Sequence, residues 1–197
     1  MAASRVIGGL EVDAATVGRD AVAAIAGFPP PVQDSCMRDT PSLDDLDRLL
    51  LGLVQRDARR PLHELGEQVG LSPSAVQRRL TRMRRSGVVR ADVAVVDPEA
   101  VGAGLTSLVL VALADDDPEH HAAFRERMRT EACVQQCYAI VGQWDYAVLL
   151  VTRDIAQNRQ VSRRLFVTDF GVRRYETFPA SEAVKAGLTV PLDPCGP

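Results

Sequence analysis

Long apolar runs are missing from this chain of 197 residues: runs such as 108–114 and 147–151 fall well short of the ~18–20 residues that span a bilayer. No membrane role is expected, and with no apolar h-region of the secretory type near Met1 the chain is expected to stay in the cytoplasm. Cysteine is sparse. Cys36, Cys133, Cys137 and Cys195 contain no CxxC pair and read as reduced thiols rather than a disulfide framework. Lysine is nearly absent, Lys185 being the single one among 23 basic residues, and Trp144 is the only tryptophan. No Ser/His/Asp order, glycine-rich phosphate loop or carboxylate pair stands out. The expectation is therefore no enzyme, no catalytic residues and no cofactor.

What is present is the composition of a globular chain, 46% apolar and 25% charged, which excludes disorder throughout. The net charge of −3 conceals an asymmetry. Residues 1–41 carry three Arg against five acids, 42–92 ten Arg against seven, and 93–197 ten Lys and Arg against fourteen, so positive charge gathers in the middle.

The first forty residues keep no period, and Phe28-Pro29-Pro30-Pro31 holds the backbone in polyproline geometry. Residues 1–41 are expected to be a poorly ordered extension. From Asp44 the pattern turns helical: Leu46, Leu49, Leu50, Leu53 and Val54 recur at helical spacing, with Asp44, Asp45 and Asp47 in the first turn, where the helix dipole favours acids. This predicts a helix over 44–55. A second short helix follows Pro61 at its first position, marked by Leu62, Leu65 and Val69 and stopped by Gly70. Ser72 as N-cap and Pro73 behind it open a third, with Val76, Leu80 and Met83 inward and Gly87 closing it.

After Gly87 the signals become those of strands. Val88–Val96 is expected to be extended, and Thr106–Ala114, Val134–Val141, Tyr146–Thr152 and Val172–Phe178 to be strands. Helices are expected over Glu119–Arg129 and Ile155–Phe166. The order β-α-β-β-α-β is ferredoxin-like, so the fold class is α+β. The predicted domains are a helix-turn-helix at 42–92 (winged-helix-like), a linker strand at 93–98, a ferredoxin-like domain at 99–178 and a tail at 179–197.

Three short helices with a tight Gly70–Ser72 turn form the helix-turn-helix pattern, whose third helix enters the major groove. At ~100° per residue Leu80 and Met83 fall near Val76, while Ser74, Arg78, Thr81 and Arg85 fall on the opposite side. Ser72, Ser74, Gln77 and Arg78 lie in the half that meets base edges, where Gln suits adenine and Arg suits guanine; Arg82 and Arg85 lie where phosphates run. A solvated arginine face would carry such charge too, but turn, cap, apolar stripe and arginines coincide in one stretch, which favours double-stranded DNA as partner.

Leu43-Asp44-x-x-Asp47-Arg48-x-Leu50, Asp57-Ala58-Arg59, Leu65-x-x-x-Val69-Gly70-Leu71-Ser72-Pro73-Ser74-Ala75-Val76-x-Arg78-Arg79-Leu80, Gly87-Val88-Val89-Arg90 and Val96-Asp97-Pro98-x-x-Val101-Gly102 resemble the Lrp/AsnC (feast/famine) transcriptional regulators. Val141-Gly142-x-x-Asp145-Tyr146, Gly171-Val172 and Lys185 continue the likeness, which covers about 43–192. The resemblance implies a helix-turn-helix followed by a ligand-sensing and oligomerisation domain, in dimers that often pair into octamers, with amino acids or related molecules bound between dimers. Ala91-Asp92 stands where the family commonly has Gly-Tyr, and Phe178-Pro179 interrupts a segment usually longer in β structure.

The turn Gly142-Gln143-Trp144-Asp145 reads by itself as a hairpin connection. Under the resemblance it borders the effector site: Gly142, Gln143, Trp144 and Asp145, with Thr177 as a weaker member, are the candidate effector residues, backbone amides taking a carboxylate. Cys133, Cys137 and His120-His121 lack the spacing of a zinc site, and no metal is expected. A siroheme-decarboxylase-like enzyme of the same architecture is the alternative; it would carry histidines near the first sheet strand, and 101–114 has none. A sensor that has lost DNA binding would need a damaged third helix, against which Gln77, Arg78 and Arg82 argue.

Overall fold

The computed structural model describes residues 42–167 and 171–192; the expected extension at 1–41 lies outside them. The described chain forms two compact units, one of residues 95–183 and one of 42–94 joined by 184–192.

In the helical unit, α1 spans Asp45–Val54, α2 Leu62–Val69 and α3 Pro73–Arg85. Asp44 caps α1 by accepting from the Asp47 N–H at 2.8 Å, and the Asp47 carboxylate takes the Asp44 N–H in return at 3.3 Å. This reciprocal box satisfies two helix-end donors at once. Pro61 sits at the N-cap of α2, one position earlier than the sequence suggests, because its ψ of 144° is extended rather than helical. Gly70 ends α2 at φ 69°, the left-handed region that glycine enters without penalty. Gly66 is needed for a different reason: a Cβ there would lie 2.3 Å from the Leu71 carbonyl oxygen, so the close turn into α3 admits no side chain. Ser72 caps α3 through the Ala75 N–H. Leu50, Leu65, Val76, Leu80 and Met83 form the core of this unit, with Leu192 packed at its edge.

The segment 88–96, expected to be extended, forms no ladder. Val88 and Val89 pack on the helical core, while Val93, Val95 and Val96 are exposed and pair with no strand among the described residues. A β-rich composition alone makes no ladder, since the backbone donors and acceptors need a neighbour.

The second unit is a four-stranded antiparallel sheet: β1 Leu105–Leu113, β2 Val134–Ala139, β3 Tyr146–Thr152 and β4 Val172–Pro179, in the order β2-β3-β1-β4. The helices α4, Pro118–Thr130, and α5, Ile155–Phe166, cover one face. Strand alternation decides the burial. Val109 and Val111 of β1 and Tyr146, Val148 and Leu150 of β3 turn toward Phe124, Met128, Val161, Leu165 and Phe166. The alternate residues Leu108, Leu149 and Phe178, in register with one another across three strands, turn the other way, with Leu108 41% and Phe178 48% exposed. Pro179 closes β4 opposite Ser107, and the next N–H, Ala180, donates to the Thr106 carbonyl at 2.9 Å.

Candidate nucleic-acid interface and effector recess

The third helix presents its polar side as the sequence predicts: Ser72, Ser74, Gln77, Arg78, Arg82 and Arg85 are all exposed, while Val76, Leu80 and Met83 are buried. The exposed residues are not equivalent. Arg78 and Arg85 have no partner among the described residues, and Gln77 makes only a long contact of 3.4 Å to the Thr81 hydroxyl. Ser72 and Ser74 share a hydrogen bond of 3.1 Å at the helix start. Arg82, by contrast, is bound to the fully buried Asp47 of α1. Arg79, which sequence reasoning left out of any role, donates to Asp44 at 2.6 Å and to Asp47 at 2.9 Å.

Two acids of the first capping box thus brace the third helix. The Arg79 guanidinium holds the Asp44 carboxyl below its ordinary value, with help from the Asp47 N–H. The signal for this brace lay in the same motif: acids in the first turn of one helix facing arginines on another. Helix-dipole reasoning explains why the acids are there but not which cation they meet.

In the sheet unit the turn after β2 places the predicted effector residues in different surroundings. Gly142 has a φ of 140°. Asp145 is engaged: its carboxylate accepts the Leu113 N–H at 2.7 Å, its N–H donates to the Val111 carbonyl, and its carbonyl takes the Ile140 N–H. The residue therefore ties the turn to the end of β1. Trp144 is buried, and the Arg174 guanidinium lies 4.0 Å from its ring centroid, in cation–π contact. Gln143 lines an open recess of about 410 Å³ together with Arg173 and Arg174. Thr177 lies on β4 opposite Val109 and is half-buried. The two arginines escaped sequence reasoning because nothing local in 172–179 marks them; only the pairing of β4 with β1 brings them to the turn.

Among the described residues no three His, Cys, Asp or Glu side chains group as metal ligands, and no helix is long and apolar enough to cross a membrane. Cys133 and Cys137 are half-buried free thiols, and burial pushes Cys137 up to about 11. His121 bonds the Tyr146 hydroxyl at 2.7 Å, and His120 pairs with Asp115 at 2.9 Å.

A braced three-helix head with an open polar helix, followed by a βαββαβ sheet with a cationic recess, defines a transcriptional regulator that binds DNA through one unit and a small molecule through the other. Residues 43–84 match the AsnC-type helix-turn-helix domain, and 106–190 match the Lrp/AsnC ligand binding domain. The chain belongs to the Lrp/AsnC family. It is 36% identical over 145 residues to an HTH-type transcriptional regulator of Haemophilus influenzae, covering 74% of this chain and 86% of that one. To the transcriptional activator DecR of Escherichia coli it is 28% identical over 151 residues, 77% of this chain and 99% of the other. Among solved structures, an AsnC family regulator from Agrobacterium tumefaciens superposes with a TM-score of 0.72 at 30% identity, over 76% of this chain and 97% of that one. A regulator from Neisseria meningitidis in complex with L-Met gives 0.70 at 28% identity, over 77% and 98%.

Proposed function

We propose that this regulator reads its operator with Ser72, Ser74, Gln77 and Arg78, grips phosphates with Arg85 and Arg82, and responds to a small carboxylate-bearing effector, an amino acid or close relative. The observation that carries the reading is the contrast along α3: Arg78 is exposed and unpaired among the described residues, beside arginines fastened to Asp44 and Asp47. A side chain free to take both acceptors of a guanine is what base reading needs. Arg82 is 54% exposed even while bound to Asp47, which leaves its outer N–H groups for a phosphate.

For the effector, the recess beside Gly142, Gln143 and Trp144 supplies cations as well as backbone amides. Arg173 and Arg174 suit a carboxylate, and Gln143 suits its ammonium or side-chain polar group. Asp145 serves by holding the turn rather than by direct contact, Thr177 stands further along β4, and Trp144 supports the site through its stack with Arg174. The L-Met bound to the Neisseria relative supports an amino acid. The apolar patch of Leu108, Leu149 and Phe178 favours assembly of the chain into dimers, and larger oligomers built from them. Such a regulator works in the cytoplasm and catalyses nothing.

Capture of genomic DNA followed by sequencing tests the reading: the protein should enrich discrete sites that Gln77→Ala/Arg78→Ala loses. Without enrichment over that variant, the DNA-reading assignment falls. Arg78→Ala alone should relax preference at one base pair, each bidentate contact being worth ~1–3 kcal/mol, while Arg85→Ala should weaken all sequences alike and flatten the salt dependence. Titrating the twenty amino acids while following Trp144 emission tests the effector; silence across the set would remove the recess from consideration.

A further inference from the structure

The chain visits the helical unit twice, first with α1–α3 and again with residues 184–192. Two side chains, Arg48 of α1 and its C-cap Gln55, together with the bare backbone at Gly52, hold this returning segment. The Gln55 amide bonds the Val190 backbone in both directions, accepting its N–H at 2.8 Å and donating to its carbonyl at 3.3 Å. The Arg48 guanidinium donates to the Leu192 carbonyl at 2.5 Å. The Leu192 side chain lies against Gly52, with 3.5 Å from its Cδ1 to where a Cβ would stand. Arg48, Gly52 and Gln55 are four and three residues apart, so they form one helix face.

The grip is polar and narrow. Val184, Leu188 and Val190 leave their side chains exposed, so backbone hydrogen bonds and one leucine hold the segment rather than a broad apolar strip. Segments held in this way open locally at little cost. One residue before Arg48, Asp47 takes Arg79 and Arg82 of α3. The helix α1 is therefore gripped by the tail through one set of side chains and by the DNA-reading helix through another. The tail in turn is joined to β4 by residues 180–183.

We propose that residues 184–192 are a releasable clasp on α1: docked, they steady α1 and with it the Asp47 brace of α3, and undocked, they weaken DNA binding. The clasp follows β4, which carries Arg173 and Arg174, after residues 180–183. The clasp does not depend on which ligand the recess takes.

Lys185 lies in the exposed part of the clasp and is the only lysine, so lysyl endopeptidase has a single cleavage site in this chain, and its rate reports undocking. In Gln55→Ala and Leu192→Asp, cleavage after Lys185 should quicken at least threefold, and affinity for a mixed-sequence DNA duplex should fall at least threefold. Linkage requires the reciprocal effect, slower cleavage of the unaltered protein when the duplex is bound. Unchanged cleavage in Gln55→Ala would overturn the clasp, and faster cleavage with unaltered or tighter DNA binding would reduce the segment to a patch on the surface, overturning it equally. Gln55→Ala leaves Leu192 and the helical core in place, so the test stands even where Leu192→Asp does not fold.

Discussion

The two units of this protein are held together by different means. The sheet unit rests on apolar burial and a continuous ladder: Phe124 lies 4.5 Å from Tyr146, centroid to centroid, over valines and leucines from two central strands. Its most buried carboxylate pair, Glu131 with Arg164, is peripheral, with the Arg164 side chain 52% exposed. The helical unit has a smaller core and adds a polar brace whose centre, Asp47, is fully buried and serves two arginines and a helix cap. A small DNA-reading head cannot bury much surface while leaving one helix open, and charged hydrogen bonds to a buried acid supply orientation that packing alone does not.

The sharpest way to break that comparison is Phe124→Ala, expected to cost ~3–5 kcal/mol by urea unfolding and to speed hydrogen exchange in β1 and β3 while leaving α1–α3 unaffected. Equal acceleration in both units would show that they unfold as one. Next in size, Asp47→Ala should cost ~1.5–3 kcal/mol, the loss of hydrogen bonds to a charged group, with faster exchange confined to α1 and α3. Glu131→Ala, whose arginine partner is half in water, should cost less than about 1 kcal/mol in the same urea-unfolding series. If the two losses match, the brace is no more than another surface pair.

A smaller effect follows from acid. Because Arg79 lowers the Asp44 carboxyl in the folded protein, its ionised form favours folding above the ordinary value of 3.8, and this contribution disappears as pH falls from there through the folded value. Circular dichroism of Asp44→Asn should accordingly show a flatter stability profile below about pH 4. An unchanged slope would mean that the Asp44 carboxyl titrates alike in the folded and unfolded chain. Least of all, the Cys137 thiol, pushed up to about 11 by burial, should alkylate slowly at neutral pH and speed up in Phe124→Ala. Rapid labelling of the folded protein would contradict its burial.

The helix-turn-helix was legible because its signals are local. Asp44, Ser72, Pro73 and Gly70 act within a turn of where they stand, and Val76, Leu80 and Met83 need only helical spacing. The strands were legible for the same reason, with β3 and α5 matching their expected ends. What escaped depends on distance along the chain. Arg79 meets acids 35 and 32 residues away, Asp145 meets a backbone N–H 32 residues away, and Gln55 meets Val190 across 135. Valines at 93–96 show the converse: a strong local preference for extension is not a strand without a partner beside it.

Pro179, read from the sequence as an interruption, has a consequence for storage and overexpression. Among the described residues the sheet has two open borders, β2 and β4, and an open border is where unfolded or crowded copies stitch together by adding strands. On β4 the last position has no N–H to offer a newcomer, and Arg173, Arg174 and Glu176 line the strand with charge. Indefinite strand-by-strand growth is thereby disfavoured on that side, and a concentrated solution of this protein is steered away from fibres.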